Sequence, residues 1–125
     1  MPQLIDEVVG DFEQAVLAGL AQPQKVIPAR FFYDRRGSEL FEQITQLPEY
    51  YPTRTETALL RAHGEDIARY AGIGRTVIEF GSGSSAKTPL LLSAVRANTY
   101  VPIDISGPFL ADAAAGIAKA YPKLK

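Results

Sequence analysis

The residues of this chain whose types and spacing could do chemistry lie in Thr76 to Thr88, TVIEFGSGSSAKT, and at Asp104 downstream. The β-branched run Thr76, Val77, Ile78 reaches Glu79 and Phe80 and turns at Gly81, as a buried parallel strand does before a glycine-rich loop. Gly81 and Gly83 permit a tight turn and put no side chain between the backbone and a ligand. The amides that open a following helix would face the same point, so the loop is expected to hold a cofactor.

Three cofactors fit parts of this loop. A dinucleotide site would use Gly81, Gly83 and Ala86 as G-x-G-x-x-A, with Asp104 closing the next apolar run to meet a ribose. A phosphate loop would use Gly81 and Lys87-Thr88, but Ala86 stands where the second glycine must wrap the phosphates. The S-adenosylmethionine site of a Rossmann-like methyltransferase asks for an acid just before the first glycine and another at the end of the second strand. Glu79 and Asp104 supply both. A carboxylate at Glu79 suits a cationic sulfonium or ammonium group and would repel a pyrophosphate. A purely structural glycine turn is the remaining reading, since glycine fingerprints alone are weak signals.

The elements that must position these residues follow from periodicity. Leu4 to Leu20 places Ile5, Val8, Val9, Phe12, Val16 and Leu20 on one side and Asp6, Glu7, Asp11 and Glu13 on the other, an amphipathic helix ended by Gly19 and Pro23. Arg35-Arg36-Gly37 reads as a turn, after which Ser38 caps a helix with Leu40, Phe41, Ile44 and Leu47 on one face. Phe31, Phe32 and Phe41 read as core residues. Tyr50 and Tyr51, held between Pro48 and Pro52, have restricted backbones and polar tips that need partners, which fits a substrate wall. Thr53 and Glu56 form a T-x-x-E capping box for a helix running to about Tyr70 and ended by Gly72, with Leu59, Leu60, His63 and Ile67 on one side. His63 has no nucleophile or carboxylate in a catalytic arrangement and reads as a helix-surface residue. Thr88-Pro89 caps a crossover helix from Leu90 to Ala97, and Tyr100 to Ile103 is a second strand whose Pro102 belongs at an edge. Ser106 caps a last helix with Leu110, Ala113, Ala114, Ile117 and Tyr121 as its stripe.

Composition narrows the partners. With 125 residues, 46% apolar and 22% charged, the chain has the makeup of one globular domain with a small core. A net charge of −1 gives no footprint for nucleic acid or an anionic membrane. The absence of cysteine and the single histidine argue against disulfides and a zinc site. The opening Met1-Pro2-Gln3 lacks a secretion signal and no run is long enough for a membrane span, so a cytoplasmic location is expected.

Four blocks of residues resemble a known family. They are Phe32-Tyr33-Asp34 with Gly37 to Phe41, Leu47-Pro48-Glu49-Tyr50-Tyr51-Pro52-Thr53-Arg54, Glu79 to Gly83 with Lys87-Thr88, and Pro102 to Ser106. The chain is similar, nearly end to end, to the N-terminal part of the histidine-specific, S-adenosylmethionine-dependent N-alpha-methyltransferases of ergothioneine biosynthesis. Ser84, where a threonine is usual, and Gly107-Pro108 depart from the family pattern.

The resemblance implies an α/β, Rossmann-like class I methyltransferase fold, represented by its first two parallel strands behind an N-terminal helical segment. Residues 1–72 would contribute to the substrate site and residues 73–125 would begin the cofactor domain. It implies methyl transfer to the alpha-amino nitrogen of histidine, ending in the trimethylated betaine. Gly81, Lys87 and Asp104 match cofactor-binding positions, the Tyr50-Tyr51 pair contains the residue that holds the amino acid, and Tyr33 and Phe41 border the accepting nitrogen. Family members continue well past a position like Lys125, so the chain is expected to be inactive alone. The alternatives are a non-catalytic fragment or interaction module completed by another chain, and a nucleotide-binding Rossmann or phosphate-loop domain.

Overall fold

A computed structural model describes residues 2–125, with side chains from residue 11 onward. The chain divides into two compact units, Met1–Asp34 and Arg35–Lys125. In the first, helix α1 spans Pro2–Ala21 and a 3-10 turn spans Ala29–Phe32. The side chains of Ile5, Val8 and Val9, with Asp6 and Glu7 opposite them, lie outside the described residues. Gly19 does not end the helix. The chain folds back over it, so that its carbonyl accepts from the amides of Gln22 and Val26 at 3.4 and 3.3 Å. A Cβ there would stand 1.9 Å from the Val26 carbonyl oxygen, which makes glycine obligatory. Phe12 meets Phe31 edge to face at 5.1 Å, and Arg30 bridges to Asp11 at 2.8 Å while stacking over Phe31. Phe32 is not a core residue, being 60% exposed.

The second unit is α/β. Its elements are α2 Arg35–Thr45, α3 Pro52–Ala71, β1 Thr76–Phe80, α4 Thr88–Ala94, β2 Thr99–Ile103 and α5 Gly107–Ala120. The two strands run parallel, with Thr76 opposite Thr99 and Phe80 opposite Ile103. Alternation puts Val77 and Tyr100 toward the helices, where Leu92 of α4 and Ile117 of α5 complete a small core joined by Ala97, Tyr121 and Leu124. The opposite sheet face carries Ile78, Phe80, Val101 and Ile103, and Phe80 is 80% exposed. The expectation of a buried strand is therefore met on one face only.

The last residues lie along β2. The amide of Lys125 donates to the Asn98 carbonyl at 3.1 Å and the Tyr100 amide donates to the Lys125 carbonyl at 2.8 Å. That is the slanted bond pattern of a parallel ladder.

Four expected caps are built differently. Helix α2 starts at Arg35, so Ser38 lies inside it, buried, with its hydroxyl 3.4 Å from that of Ser106. An Arg35–Asp112 ion pair at 2.7 Å also ties α2 to α5. Pro52, with its fixed φ, opens α3 one residue before Thr53, and the N-cap residue Tyr51 makes no side-chain cap bond. The capping box does not form, and Glu56 pairs with Lys87 instead. Thr88 is the first residue of α4, which stops at Ala94: the Val95 amide makes the last helical bond, to the Leu91 carbonyl at 3.0 Å, and Arg96 turns left-handed at φ 46°. Ser106 does stand at the N-cap of α5, yet its side chain caps no amide. The apolar face of α2 is also less covered than its pattern predicts, with Leu40, Phe41, Ile44 and Leu47 all exposed. His63 lies on the surface of α3, with Nδ1 3.6 Å from Asp66.

Candidate cofactor site

The C-terminal ends of β1 and β2 converge on the glycine turn. Gly81 at φ 67° and Gly83 at φ 53° both take the left-handed conformation that glycine alone adopts cheaply. The amides of Gly81 and Ser82 both donate to the Ile103 carbonyl, at 2.7 and 3.3 Å, folding the loop back onto the end of β2. Asp104, the next residue, holds the other side. Its Oδ2 accepts from the Gly83 amide and its Oδ1 from the Ser106 amide, each at 2.9 Å. One carboxylate thus ties the glycine turn to the start of α5.

Glu79 closes the opposite flank. Its Oε2 accepts the Thr88 hydroxyl at 2.8 Å and the Tyr100 phenol at 2.5 Å. The Tyr100 phenol is held protonated above the ordinary tyrosine range, first by burial and second by its bond to Glu79. A folded-state pKa above the unfolded value of about 10 gives stability that is complete below that pH and is lost as the pH rises through the folded value. Thermal unfolding followed above about pH 10 should therefore show a steeper loss of stability in the native chain than in Tyr100→Phe. Equal slopes would contradict this account.

The space over the turn is open. A Cβ placed on Gly81 or Gly83 would meet nothing within 4 Å. Beside it the Ser82 hydroxyl is buried and, among the described residues, has no hydrogen-bond partner, a polar atom that a ligand would satisfy. Two half-buried carboxylates flanking this space favour a ligand with a cationic group and hydroxyls over one led by phosphates. Among the expected cofactor residues, Glu79, Gly81, Gly83 and Asp104 are brought together, whereas the ammonium of Lys87 is turned to Glu56 on α3.

The tyrosine segment is a separate construction between α2 and α3. Arg54 donates to the carbonyls of Leu47 at 2.9 Å, Pro48 at 2.5 Å and Tyr50 at 3.2 Å, locking the turn that presents both tyrosines. Phe41 meets Tyr50 edge to face at 5.8 Å. Tyr51 is 66% exposed, and Tyr33 follows the 3-10 turn of the first unit with its ring exposed. Because α2 is tied to α5 and α3 to the loop's Lys87, the helices that carry this segment are anchored beside the glycine turn. An open cleft of about 250 Å³ lined by Thr45, Gln46, Thr53, Arg54, Thr57 and Arg61 includes none of the expected ligand residues. Arg54→Ala should release the turn and cost about 1–2 kcal/mol, the range for bonds from a charged group discounted for exposure. A thermal midpoint within a degree or so of the native one would show that the guanidinium bonds contribute nothing.

Sequence reasoning missed Tyr100, Ser85, Arg54 and Glu56. Tyr100 reads as an ordinary strand residue, and its only signal is a polar-tipped ring on the same sheet face as Glu79.

A profile described as histidine-specific, S-adenosylmethionine-dependent methyltransferase matches residues 12–125. A curated histidine N-alpha-methyltransferase from Mycolicibacterium smegmatis is 42% identical over 124 residues, covering 96% of this chain and 38% of the relative. Its counterpart of the same name from Mycobacterium tuberculosis is 44% identical over 110 residues, 85% of this chain and 34% of the relative. The ergothioneine biosynthesis protein 1 of Neurospora crassa is 39% identical over 84 residues, 64% of this chain and 10% of the relative. The chain thus spans little more than a third of the two curated histidine methyltransferases it matches.

Proposed function

The chain belongs to the family of histidine-specific, S-adenosylmethionine-dependent methyltransferases, and on that premise we propose that it supplies the cofactor loop and the first substrate-facing segment of an enzyme that methylates the alpha-amino group of histidine. The observation that carries this reading is the open glycine turn held between Glu79 and Asp104. S-adenosylmethionine would supply an electrophilic methyl group on a sulfonium centre. Glu79 would meet its cationic end, the backbone at Gly81 and Gly83 would let it approach closely, and Asp104 would accept the ribose hydroxyls. Lys87, on exchanging Glu56 for a ligand carboxylate, would hold the amino-acid end of the cofactor.

Tyr50, with Tyr51, Tyr33 and Phe41, would orient the amino-acid substrate. Methyl transfer is an in-line displacement at the sulfonium methyl carbon, in which a neutral amine forms the new N–C bond as the C–S bond breaks and the thioether leaves, so alignment matters more than a strong acid or base. Residues 1–72 would then serve the substrate and residues 73–125 would open a Rossmann-like domain. The two bonds of Lys125 to the outer edge of β2 support that assignment, because a third strand entering there would give the order 3-2-1. A place in ergothioneine formation is suggested by the name of the Neurospora relative, the trimethylated product by the family resemblance alone, and both are part of the proposal.

Calorimetry on the chain with S-adenosylmethionine, NAD and magnesium-ATP tests the cofactor reading, and binding of S-adenosylmethionine alone is expected. Binding of ATP with none of S-adenosylmethionine would overturn it. A second reading, an association module completed by another polypeptide, draws on the bare sheet face of Ile78, Phe80, Val101 and Ile103. Histidine-dependent methyl transfer by these 125 residues alone would exclude that reading and the expected inactivity together.

A further inference from the structure

We propose that Tyr100 is a positioning residue that aims the Glu79 carboxylate and pins the far side of the glycine loop, so that the site grips the cationic amino-acid end of its cofactor. The proposal rests on the S-adenosylmethionine reading above and goes beyond it in assigning a buried side chain that touches no ligand. Tyr100 is 9% exposed and lies opposite Val77, two positions from Glu79 along the paired strand. Its hydroxyl donates to Glu79 Oε2 at 2.5 Å and lies 3.2 Å from the Ser85 hydroxyl. A phenol has one proton. Since that proton goes to the carboxylate, the Ser85 hydroxyl is the donor in the second contact and the phenol oxygen its acceptor.

Two consequences follow from this arrangement. Thr88 donates to the same Oε2, so both donors hold one oxygen of Glu79 and fix the rotation of the carboxylate. Among the described residues no donor meets Oε1, which is left for a cation. Ser85 is buried at 5% exposure and left-handed at φ 54°, a conformation that costs a residue with a side chain about 1 kcal/mol. It is held by its amide bond to the Ser82 carbonyl at 2.9 Å and by its hydroxyl on Tyr100. One phenol therefore joins the strand end, the loop and, through Glu79, the start of α4.

The test is Tyr100→Phe, which keeps the ring against Leu92 and Ile117 and removes only the hydroxyl. Two probes separate positioning from general damage: S-adenosylhomocysteine, which carries the ammonium, and 5′-methylthioadenosine, which lacks the amino-acid end. The variant is expected to lose about tenfold in affinity for the first, the scale of one hydrogen bond on a charged group, and to keep that for the second. Equal losses for both probes, or none for either, would overturn the proposal. A ligand-free arm uses carbon-13 resonances. The Tyr100 Cζ should titrate above the ordinary tyrosine range and move down in Glu79→Gln, and the Ser85 and Gly83 amides should shift in Tyr100→Phe and in Thr88→Val. If the native chain binds neither probe, the cofactor reading fails. The resonances still decide the positioning claim, which falls if those amides do not move.

Discussion

Asp104→Ala should abolish measurable binding of S-adenosylmethionine and lower the stability of the second unit by about 2–3 kcal/mol, because two amides lose their common acceptor at once. Gly83 and Ser106 both donate to this carboxylate, so its removal frees the glycine turn from α5 as well as removing the proposed ribose acceptor. For a unit of this size the loss corresponds to a fall of roughly 10 °C or more in the thermal midpoint. Asp104→Asn should be milder, since its amide oxygen still accepts one of the two bonds. Calorimetry for the ligand and a thermal scan for the fold measure the two effects independently. A normal midpoint with lost binding would confine Asp104 to the cofactor, and a normal midpoint with normal binding would refute both roles.

Leu92→Ala should cost more stability still, about 2–5 kcal/mol. Leu92 is 2% exposed and touches the center of a core whose other buried members are Tyr100 and Ile117. A domain has only about 5–15 kcal/mol in all, and a core this small has few neighbours that can close over the cavity. Loss of a cooperative urea transition is the expected outcome. A transition that keeps its slope and shifts by less than about 1 kcal/mol would show that stability resides elsewhere.

The parts legible in the sequence are those fixed by local rules. The β-branched run, the two glycines and the acids at Glu79 and Asp104 specify strand, turn and flanking charge within a few residues of one another, and the structure keeps that arrangement. The caps were not legible, for one physical reason. A serine or threonine near a helix start can bond its own backbone, but a buried hydroxyl goes to the partner that leaves the fewest polar atoms unsatisfied. Ser38 meets Ser106 and Thr88 meets Glu79, partners distant in the chain. At Thr53 the competing rule was local, since Pro52 had already started the helix. Tyr100 and Arg54 were invisible because their roles depend on which side chain or carbonyl stands opposite after folding.

The anchoring of the Gly81 and Ser82 amides on the Ile103 carbonyl sets how this segment tolerates insertions and deletions. A single-residue change of length in the connection from Val95 to Asn98 that slid β2 by one position would turn Tyr100 to the bare face and bring Ile103 to the helix side, since successive strand residues point to opposite faces. The carbonyl that receives the turn, the phenol on Glu79 and the carboxylate on Gly83 would all be displaced together. Replacement of the exposed Arg96 by residues that accept a left-handed backbone should therefore be tolerated in a deep mutational library, whereas one-residue insertions and deletions at positions 95–98 should be eliminated.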